Sequence, residues 1–260
     1  MLGYLWSIER EATVLIDTDD DNIPKCGWSF PDFDGTFDRI EEGLGFVNMY
    51  QMFTGQKIWP RGLPLDLIQR QFRLEDRAAP AACRVGVWQG LADEDPDVDA
   101  IYRLTCNAPC YFRERAPVVL GAGTLCPFNS QNTAIRSELF ALLYLPVFVT
   151  FRFTDILRGL VAQPIMAALG YELGFLGATV LQKRNPHDYM KDFVSEIPVY
   201  ESSRLAVEVA SEVVSSNKSI SENLCSAYRA LHHKGIVPAE ELLSLQAWLS
   251  DLNKVGCKYL

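Results

Sequence analysis

The order of the predicted elements constrains this chain more than any other feature. Short β-rich runs, long loops and helices alternate over the first two hundred residues, and the last sixty have a helical pattern throughout. The three helices predicted there cover about 202–216, 219–233 and 238–253. Strands interleaved with helices are typical of an α/β layer fold, for which we expect a mostly parallel sheet. We therefore predict an α/β region at 1–200 and a C-terminal helical tail at 201–260.

Individual elements follow from hydrophobic patterning and turn residues. A helix is predicted to begin at Thr154 and to reach about Ala168, and another to begin within 126–134. The Gly-, Pro- and aromatic-rich stretch at 22–54 is interpreted as one long irregular segment. Strands are predicted at 12–16, 83–88, 100–104, 118–121, 148–153 and 179–183.

A cluster of aspartates directly follows the first predicted strand: Asp17, Asp19, Asp20 and Asp21. These carboxylates repel one another, and the usual reason for a protein to tolerate such repulsion is that the carboxylates bind a divalent cation. Carboxylate oxygens suit Mg²⁺ or Mn²⁺. An EF-hand loop is excluded, because it needs Gly and Glu where this chain has Asn22 and Trp28. Three interpretations stay open: a phosphatase-type aspartyl nucleophile, the strand-end acidic motif of nucleotide-sugar transferases, and a solvated acidic turn.

A second acidic cluster contains Asp93, Glu94, Asp95, Asp97 and Asp99, and we interpret it as a solvated loop around Pro96. The two clusters account for the whole net charge of −9. An acidic chain argues against nucleic acid as the main partner. The longest apolar run, at 139–151, is too short to cross a bilayer, so no transmembrane segment is expected in this chain.

Three further residues are candidates for chemistry. Asp155 lies where a predicted strand passes into a helix, and it either activates an acceptor or pairs with Arg158. Arg61, between two prolines, is either an anion clamp or a surface residue. His187, beside Lys183 and Arg184, either completes a metal site, contacts a diphosphate or lies on a surface turn.

Five motifs occur in an order that resembles the STELLO-like family of glycosyltransferases. They lie at 17–22 (DTDDDN), 59–65 (WPRGLPL), 96–104 (PDVDAIYRL), 127–133 (PFNSQNT) and 155–159 (DILRG). The resemblance extends from residue 2 to about residue 256. A weaker likeness, through Arg61 and the region of Asp155, is to the reversibly glycosylated polypeptides, which are UDP-arabinopyranose mutases.

The resemblance implies a GT-A-like fold with a mixed sheet and a nucleotide-sugar donor, with UDP as the expected nucleotide. By motif, Asp19 and Asp21 would bind Mn²⁺ or Mg²⁺, and Asp155 would lie on the acceptor side as the catalytic residue. Asp17 would face the nucleoside of the donor. Arg61 and His187, candidates from their residue types and neighbours, would also bind the donor. The family also implies a glycan or protein acceptor and a polysaccharide-synthase complex as partner. It implies the Golgi lumen for a membrane-anchored protein, and otherwise the cytoplasm.

One departure from the GT-A pattern concerns the start of the chain. A GT-A nucleotide-binding half has strand–helix–strand units before its acidic motif, whereas only sixteen residues precede Asp17 here. We therefore expect the N-terminal part of that half to be lacking. Three functions stay open: a metal-dependent glycosyltransferase, a non-catalytic interaction protein of a polysaccharide-synthesis complex, and a sugar-nucleotide mutase.

Overall fold

The computed structural model describes residues 1–260 and contains six α-helices and nine β-strands. The helices are α1 (Leu2–Glu9), α2 (Ala100–Thr105), α3 (Thr154–Ala168), α4 (Tyr189–Val213), α5 (Ile220–His233) and α6 (Ala239–Lys254). The strands are β1 (Val14–Thr18), β2 (Asn22–Pro24), β3 (Asp34–Ile40), β4 (Gly45–Phe46), β5 (Ala78–Glu94), β6 (Val118–Leu120), β7 (Thr124–Leu125), β8 (Asn132–Arg136) and β9 (Glu172–Gln182). Short 3₁₀ helices cover Met49–Met52, Leu65–Leu67, Leu74–Arg77, Ser137–Leu143 and Phe151–Phe153.

Seven strands form one mixed sheet in the order β1-β8-β5-β3-β6-β9-β2, with an additional pairing between β5 and β9. The 17-residue strand β5 holds the two parts of this sheet together. Its first half pairs with β3, and its second half pairs with β8 and β9. This architecture, with helices at the C-terminus, confirms the predicted GT-A-like α/β fold class.

The expectation of a mostly parallel sheet is wrong. Only the β3–β6 and β5–β9 pairs are parallel, and the other pairs of this sheet are antiparallel. Parallel neighbours need long crossovers, usually helical. Loops and 3₁₀ turns, without an α-helix, connect β3 to β5, and these two strands pair antiparallel.

The core joins the sheet to the C-terminal helices. Helix α3 is buried from Ile156 to Met166, with α4 and α5 packed against it, and one continuous apolar cluster contains residues from β3 to α6. On β9, Gly174 lies beneath the Trp88 ring, where a Cβ atom would come within 2.2 Å. Because α4 passes through residue 200, the structure has no break at the predicted boundary between the α/β region and the tail.

Several predicted elements are wrong in type. Residues 100–104 belong to α2 rather than to a strand, because the Asp99 carboxylate accepts the backbone N–H of Tyr102 as a helix cap. Residues 132–136 form β8 rather than a helix, and 148–153 form a loop and a 3₁₀ turn. The stretch at 22–54 contains the seven-residue strand β3.

The predicted helix from Thr154 and the last two C-terminal helices are confirmed. The first C-terminal helix is also present, but it begins at Tyr189 rather than at about residue 202. None of the helices combines the length and the apolar character that a membrane span requires.

Candidate functional site

A polar cavity of about 410 Å³ lies at the edge of the sheet where β5 and β9 end. Ligand sites of α/β proteins commonly lie beyond the carboxyl ends of parallel strands. Five residues predicted from the sequence line this cavity: Asp19, Asp21, Arg61, Asp155 and His187. They come from segments far apart in the chain, so the fold creates the site.

The acidic turn after β1 forms one wall of the cavity. The Asp19 backbone N–H donates to the carbonyl of Gln131. The Gln182 side-chain amide, at the end of β9, donates to Asp19 Oδ2 at 3.2 Å and to Asp21 Oδ1 at 2.8 Å. One amide group therefore holds the two carboxylates that were predicted as metal ligands side by side.

Asp19 lies in a strongly negative environment. Burial, followed by the charges of Asp97, Asp21 and Asp155, raises the pKa of the Asp19 carboxyl to about 7. Arg61 opposes this shift only in part. The cavity thus has a surplus of negative charge, which a bound cation would offset.

Arg61 is buried and uses its guanidinium to bind two carboxylates. Its Nε and Nη2 donate to Asp97 at 2.9 and 2.8 Å, and its Nη1 and Nη2 donate to Asp155 at 3.2 Å each. Nη1 also donates to the carbonyl of Arg152. A guanidinium has five N–H donors, and here all five are used. In this arrangement Arg61 clamps carboxylates and has no donor free for a phosphate, and its role in donor binding stays a prediction.

The interpretation of the second acidic cluster as a solvated loop is wrong, as the burial of Asp97 shows. The strand β5 leads directly into this cluster, and Asp93, Asp97 and Asp99 are buried. Asp97 lines the cavity. Burial raises its pKa, but Arg61, Arg152 and Arg184 together outweigh burial, so the pKa of Asp97 is lowered. The backbone N–H of Asp97 donates to Gln131 Oε1, which fixes the loop against the 127–133 motif.

Asp155 occupies the first turn of α3, facing the cavity. Besides the two contacts with Arg61, its Oδ2 accepts the backbone N–H of Ser130 at 3.2 Å. The alternative pairing of Asp155 with Arg158 is wrong, because the Arg158 guanidinium donates to Asp17 and Ser130 instead. Asp155 is thus an oriented, partly accessible carboxylate on the cavity wall.

Asp17 does not line the cavity, contrary to its predicted contact with the nucleoside. Its carboxylate accepts the Tyr4 hydroxyl at 2.6 Å and Arg158 Nη1 at 2.8 Å. Strand alternation explains the difference, since residues two apart share one face of a strand only while that strand continues. β1 ends at Thr18, before Asp19 enters the turn.

A second wall of the cavity is cationic. Arg184 has an 8% exposed side chain, and its Nε is buried without a hydrogen-bond partner. Burial, together with the charges of Arg152 and Arg103, lowers the pKa of the Arg184 guanidinium. His187 lies beside it, with Nδ1 3.0 Å from Asp192. Arg152 forms an ion pair with buried Glu196, and Arg184 forms one with Asp192 at 3.4 Å. The unused donor on this wall is therefore the Nε of Arg184.

Two glutamines that the sequence analysis missed connect these walls. Gln131 donates to Gln182 and to the carbonyl of Asp95, and it accepts from Asp97. Amide side chains do not titrate and have no characteristic spacing, so only the 127–133 motif pointed to Gln131. Nothing in the sequence pattern pointed to Gln182.

The protein's own residues supply only part of a metal-binding set. No group of three His, Cys, Asp or Glu side chains could hold a metal ion. Mg²⁺ is commonly bound by one or two carboxylates together with substrate phosphates, and the Asp19–Asp21 pair with its hard oxygen donors fits that pattern.

Comparisons with known proteins agree with the five sequence motifs. Residues 152–260 match the model of the family described as STELLO glycosyltransferases. Two Arabidopsis thaliana proteins, named "Probable glycosyltransferase STELLO1" and "Probable glycosyltransferase STELLO2", are each 29% identical over 280 aligned residues. These alignments cover 98% of this chain but only 35% and 36% of the relatives. The chain thus spans about a third of the length of these relatives, and its predicted resemblance to the STELLO-like family is confirmed.

Proposed function

We propose that this protein is a metal-dependent glycosyltransferase that transfers a sugar from a nucleotide-sugar donor, with UDP as the expected nucleotide, to a glycan or protein acceptor. One observation carries the proposal: a single cavity is lined by paired carboxylates and by an arginine whose Nε has no hydrogen-bond partner. A cation and a diphosphate together match this arrangement. The names of the relatives support the reaction class.

Asp19 and Asp21 would hold Mn²⁺ or Mg²⁺, and the donor phosphates would supply further oxygen ligands. The negative charges of Asp97, Asp21 and Asp155, which act on Asp19 in addition to its burial, support this assignment because a cation would offset them. When bound, the cation would neutralise the charge that develops on the diphosphate leaving group. Gln182 keeps both carboxylates oriented before any ligand arrives.

Arg184 would bind the diphosphate through its guanidinium, whose Nε has no partner and whose Nη2 pairs with Asp192, with His187 beside it. A buried arginine without a full set of partners is costly, and a phosphate can accept two of its N–H groups at once. Arg152 contributes positive charge to this wall while Glu196 holds its side chain.

Asp155 would accept the proton of the acceptor hydroxyl as the catalytic base. Arg61 and the Ser130 backbone fix the orientation of its carboxylate, so that an acceptor meets a positioned oxygen. Arg61 acts here as a positioning residue, because its donors are committed to Asp97 and Asp155.

Calorimetric titration of Mn²⁺, followed by UDP, tests the metal assignment. We expect Asp19→Ala and Asp21→Ala each to weaken Mn²⁺ binding at least tenfold. Asp20→Ala is the matched comparison, since Asp20 lies in the same turn and lines the cavity but has no contact to Gln182, and we expect it to weaken Mn²⁺ binding less. Isotherms of the Asp19 and Asp21 variants that match the wild-type curve would remove the metal site.

Product analysis with UDP-sugars separates the reaction classes. A transferase releases UDP and forms a glycosidic bond or free sugar, whereas a mutase returns an isomerised UDP-sugar. Measurable transfer or hydrolysis would also argue against a purely non-catalytic interaction protein. The Golgi location and the polysaccharide-synthase partner stay predictions from the family resemblance.

A further inference from the structure

The cavity has one apolar corner in otherwise polar surroundings. Of the sixteen residues that line it, only Leu145 and Phe151 are hydrophobic. Both belong to one segment, residues 145–153, which leads into α3. The Phe151 side chain is 88% exposed, and Val147 and Phe148 are about half exposed. A phenyl ring this exposed gives up most of the stabilisation that burial would provide.

Two buried glutamates from the C-terminal helices fix this segment. Glu241 of α6 is fully buried and accepts the backbone N–H groups of Val147 at 3.1 Å and Phe148 at 2.7 Å. Glu196 of α4, also fully buried, forms an ion pair with Arg152 at 2.6 Å. The Phe151 ring is therefore presented by an anchored backbone, and a ligand that covers it meets a surface whose backbone is already ordered.

The position of Phe151 favours the acceptor, because Phe151 lies directly before the helix that carries Asp155, the residue proposed to meet the acceptor hydroxyl. It lies in the 3₁₀ turn just before α3, and Asp155 lies in the first turn of that helix. A charged diphosphate gains little from a phenyl face, because its oxygens would lose water without gaining a partner. A pyranose ring is different, since its C–H groups form an apolar face while its hydroxyls point outward. Thr154, Asp155 and Ser130 line the same cavity and could meet those hydroxyls.

The geometry points to Phe151 as the platform on which the acceptor sugar stacks, with the hydroxyl of that sugar directed to Asp155. This inference depends on the proposed glycosyltransferase function and names the acceptor class, a neutral pyranose oligosaccharide. Leu145 extends the apolar corner, and the C-terminal helices hold the platform in place through Glu241 and Glu196.

Saturation-transfer NMR with cellotetraose and xylotetraose, in the presence of Mg²⁺ and UDP, tests the platform. We expect Phe151→Ala to weaken binding of at least one oligosaccharide fivefold or more, and Phe151→Tyr to stay within twofold of the wild type. Phe148→Ala is the matched control, because Phe148 is exposed on the same segment but does not line the cavity. Saturation should be strongest on the ring C–H protons.

Unchanged binding in Phe151→Ala would overturn the inference, and so would the absence of saturation transfer to both oligosaccharides from wild-type protein that binds UDP. Equal losses in Phe151→Ala and Phe148→Ala would also contradict a platform specific to Phe151. Calorimetric titration of Mn²⁺ and UDP into the same proteins distinguishes a failure of the proposed function from a failure of the Phe151 platform. A wild type that binds neither contradicts the proposed function itself, whereas normal UDP binding with sugar binding indifferent to Phe151 contradicts only the platform.

Discussion

Replacement of Arg61 by methionine tests the central ion network of the cavity. The substitution keeps an unbranched apolar side chain but removes the only cation that contacts both Asp97 and Asp155. Removing one partner of a buried ion pair typically costs about 3–5 kcal/mol, since the remaining charge is left uncompensated. Asp97 is buried whereas Asp155 is partly accessible, so most of this cost should come from Asp97.

The loss of stability in Arg61→Met should be larger at neutral pH than at acidic pH. In the wild type, Arg61 lowers the pKa of Asp97, so the pair stabilises the fold above the ordinary carboxyl pKa of about 4, and this contribution is lost as the pH falls below it. In Arg61→Met, Arg152 and Arg184 still lower the pKa of Asp97, but burial is opposed less, so this pKa rises relative to the wild type. Ionised Asp97 is then less well compensated in the variant, so the difference in stability from the wild type should be largest near pH 7 and shrink towards pH 4.

Urea unfolding followed by tryptophan fluorescence at several pH values measures this difference. The double variant Arg61→Met/Asp97→Asn should recover about half of the loss, because the unpaired buried charge is gone. A loss below about 1 kcal/mol at pH 7, or a loss independent of pH, would refute the reasoning. Weakened UDP binding with unchanged stability would instead restore Arg61 as a phosphate clamp.

Two other predictions concern the fold around the cavity. Burial raises the pKa of Asp99 to about 6, while its hydrogen bond from Trp59 Nε1 opposes the shift. Trp59→Phe should therefore destabilise the fold by about 1–3 kcal/mol at pH 8 and by less at pH 5, where Asp99 is protonated; circular dichroism during unfolding measures both. Gly174→Ala places a methyl 2.2 Å from the Trp88 ring and should cost at least about 1–3 kcal/mol. Gly177→Ala, on the same strand with its nearest neighbour at 3.6 Å, should change the midpoint of thermal unfolding little, and equal losses in both variants would contradict the steric argument.

Sequence patterns predicted the parts of the site whose placement depends on neighbouring residues in the chain. The acidic turn follows an apolar strand, and Asp155 begins a helix, so the sequence pointed to Asp19, Asp21 and Asp155 without knowledge of the fold. The C-terminal helices were predicted for the same reason, because caps and apolar periodicity lie within each segment.

The errors have long-range causes. Asp97 looked solvated because its counter-charge, Arg61, lies 36 residues away in the chain. Strand β8 lies between β1 and β5 and is almost wholly buried, so it lacks the alternation that identifies a half-exposed strand. Asp17 was assigned to the cavity with its neighbours, although the end of β1 sends its side chain towards Tyr4 and Arg158.

The shared strand β5 has a consequence for the order in which the protein can fold. Its hydrogen bonds with β9 join residues 85–94 to residues 172–182, and the acidic turn reaches Gln182 across 163 residues of chain. Long-range pairings of this kind form late, because closing a large loop costs entropy before the contacts that it brings together contribute stability. During synthesis the chain therefore cannot assemble its cavity until β9 has left the ribosome, and until then the carboxylates of the acidic turn stay without their partner amide.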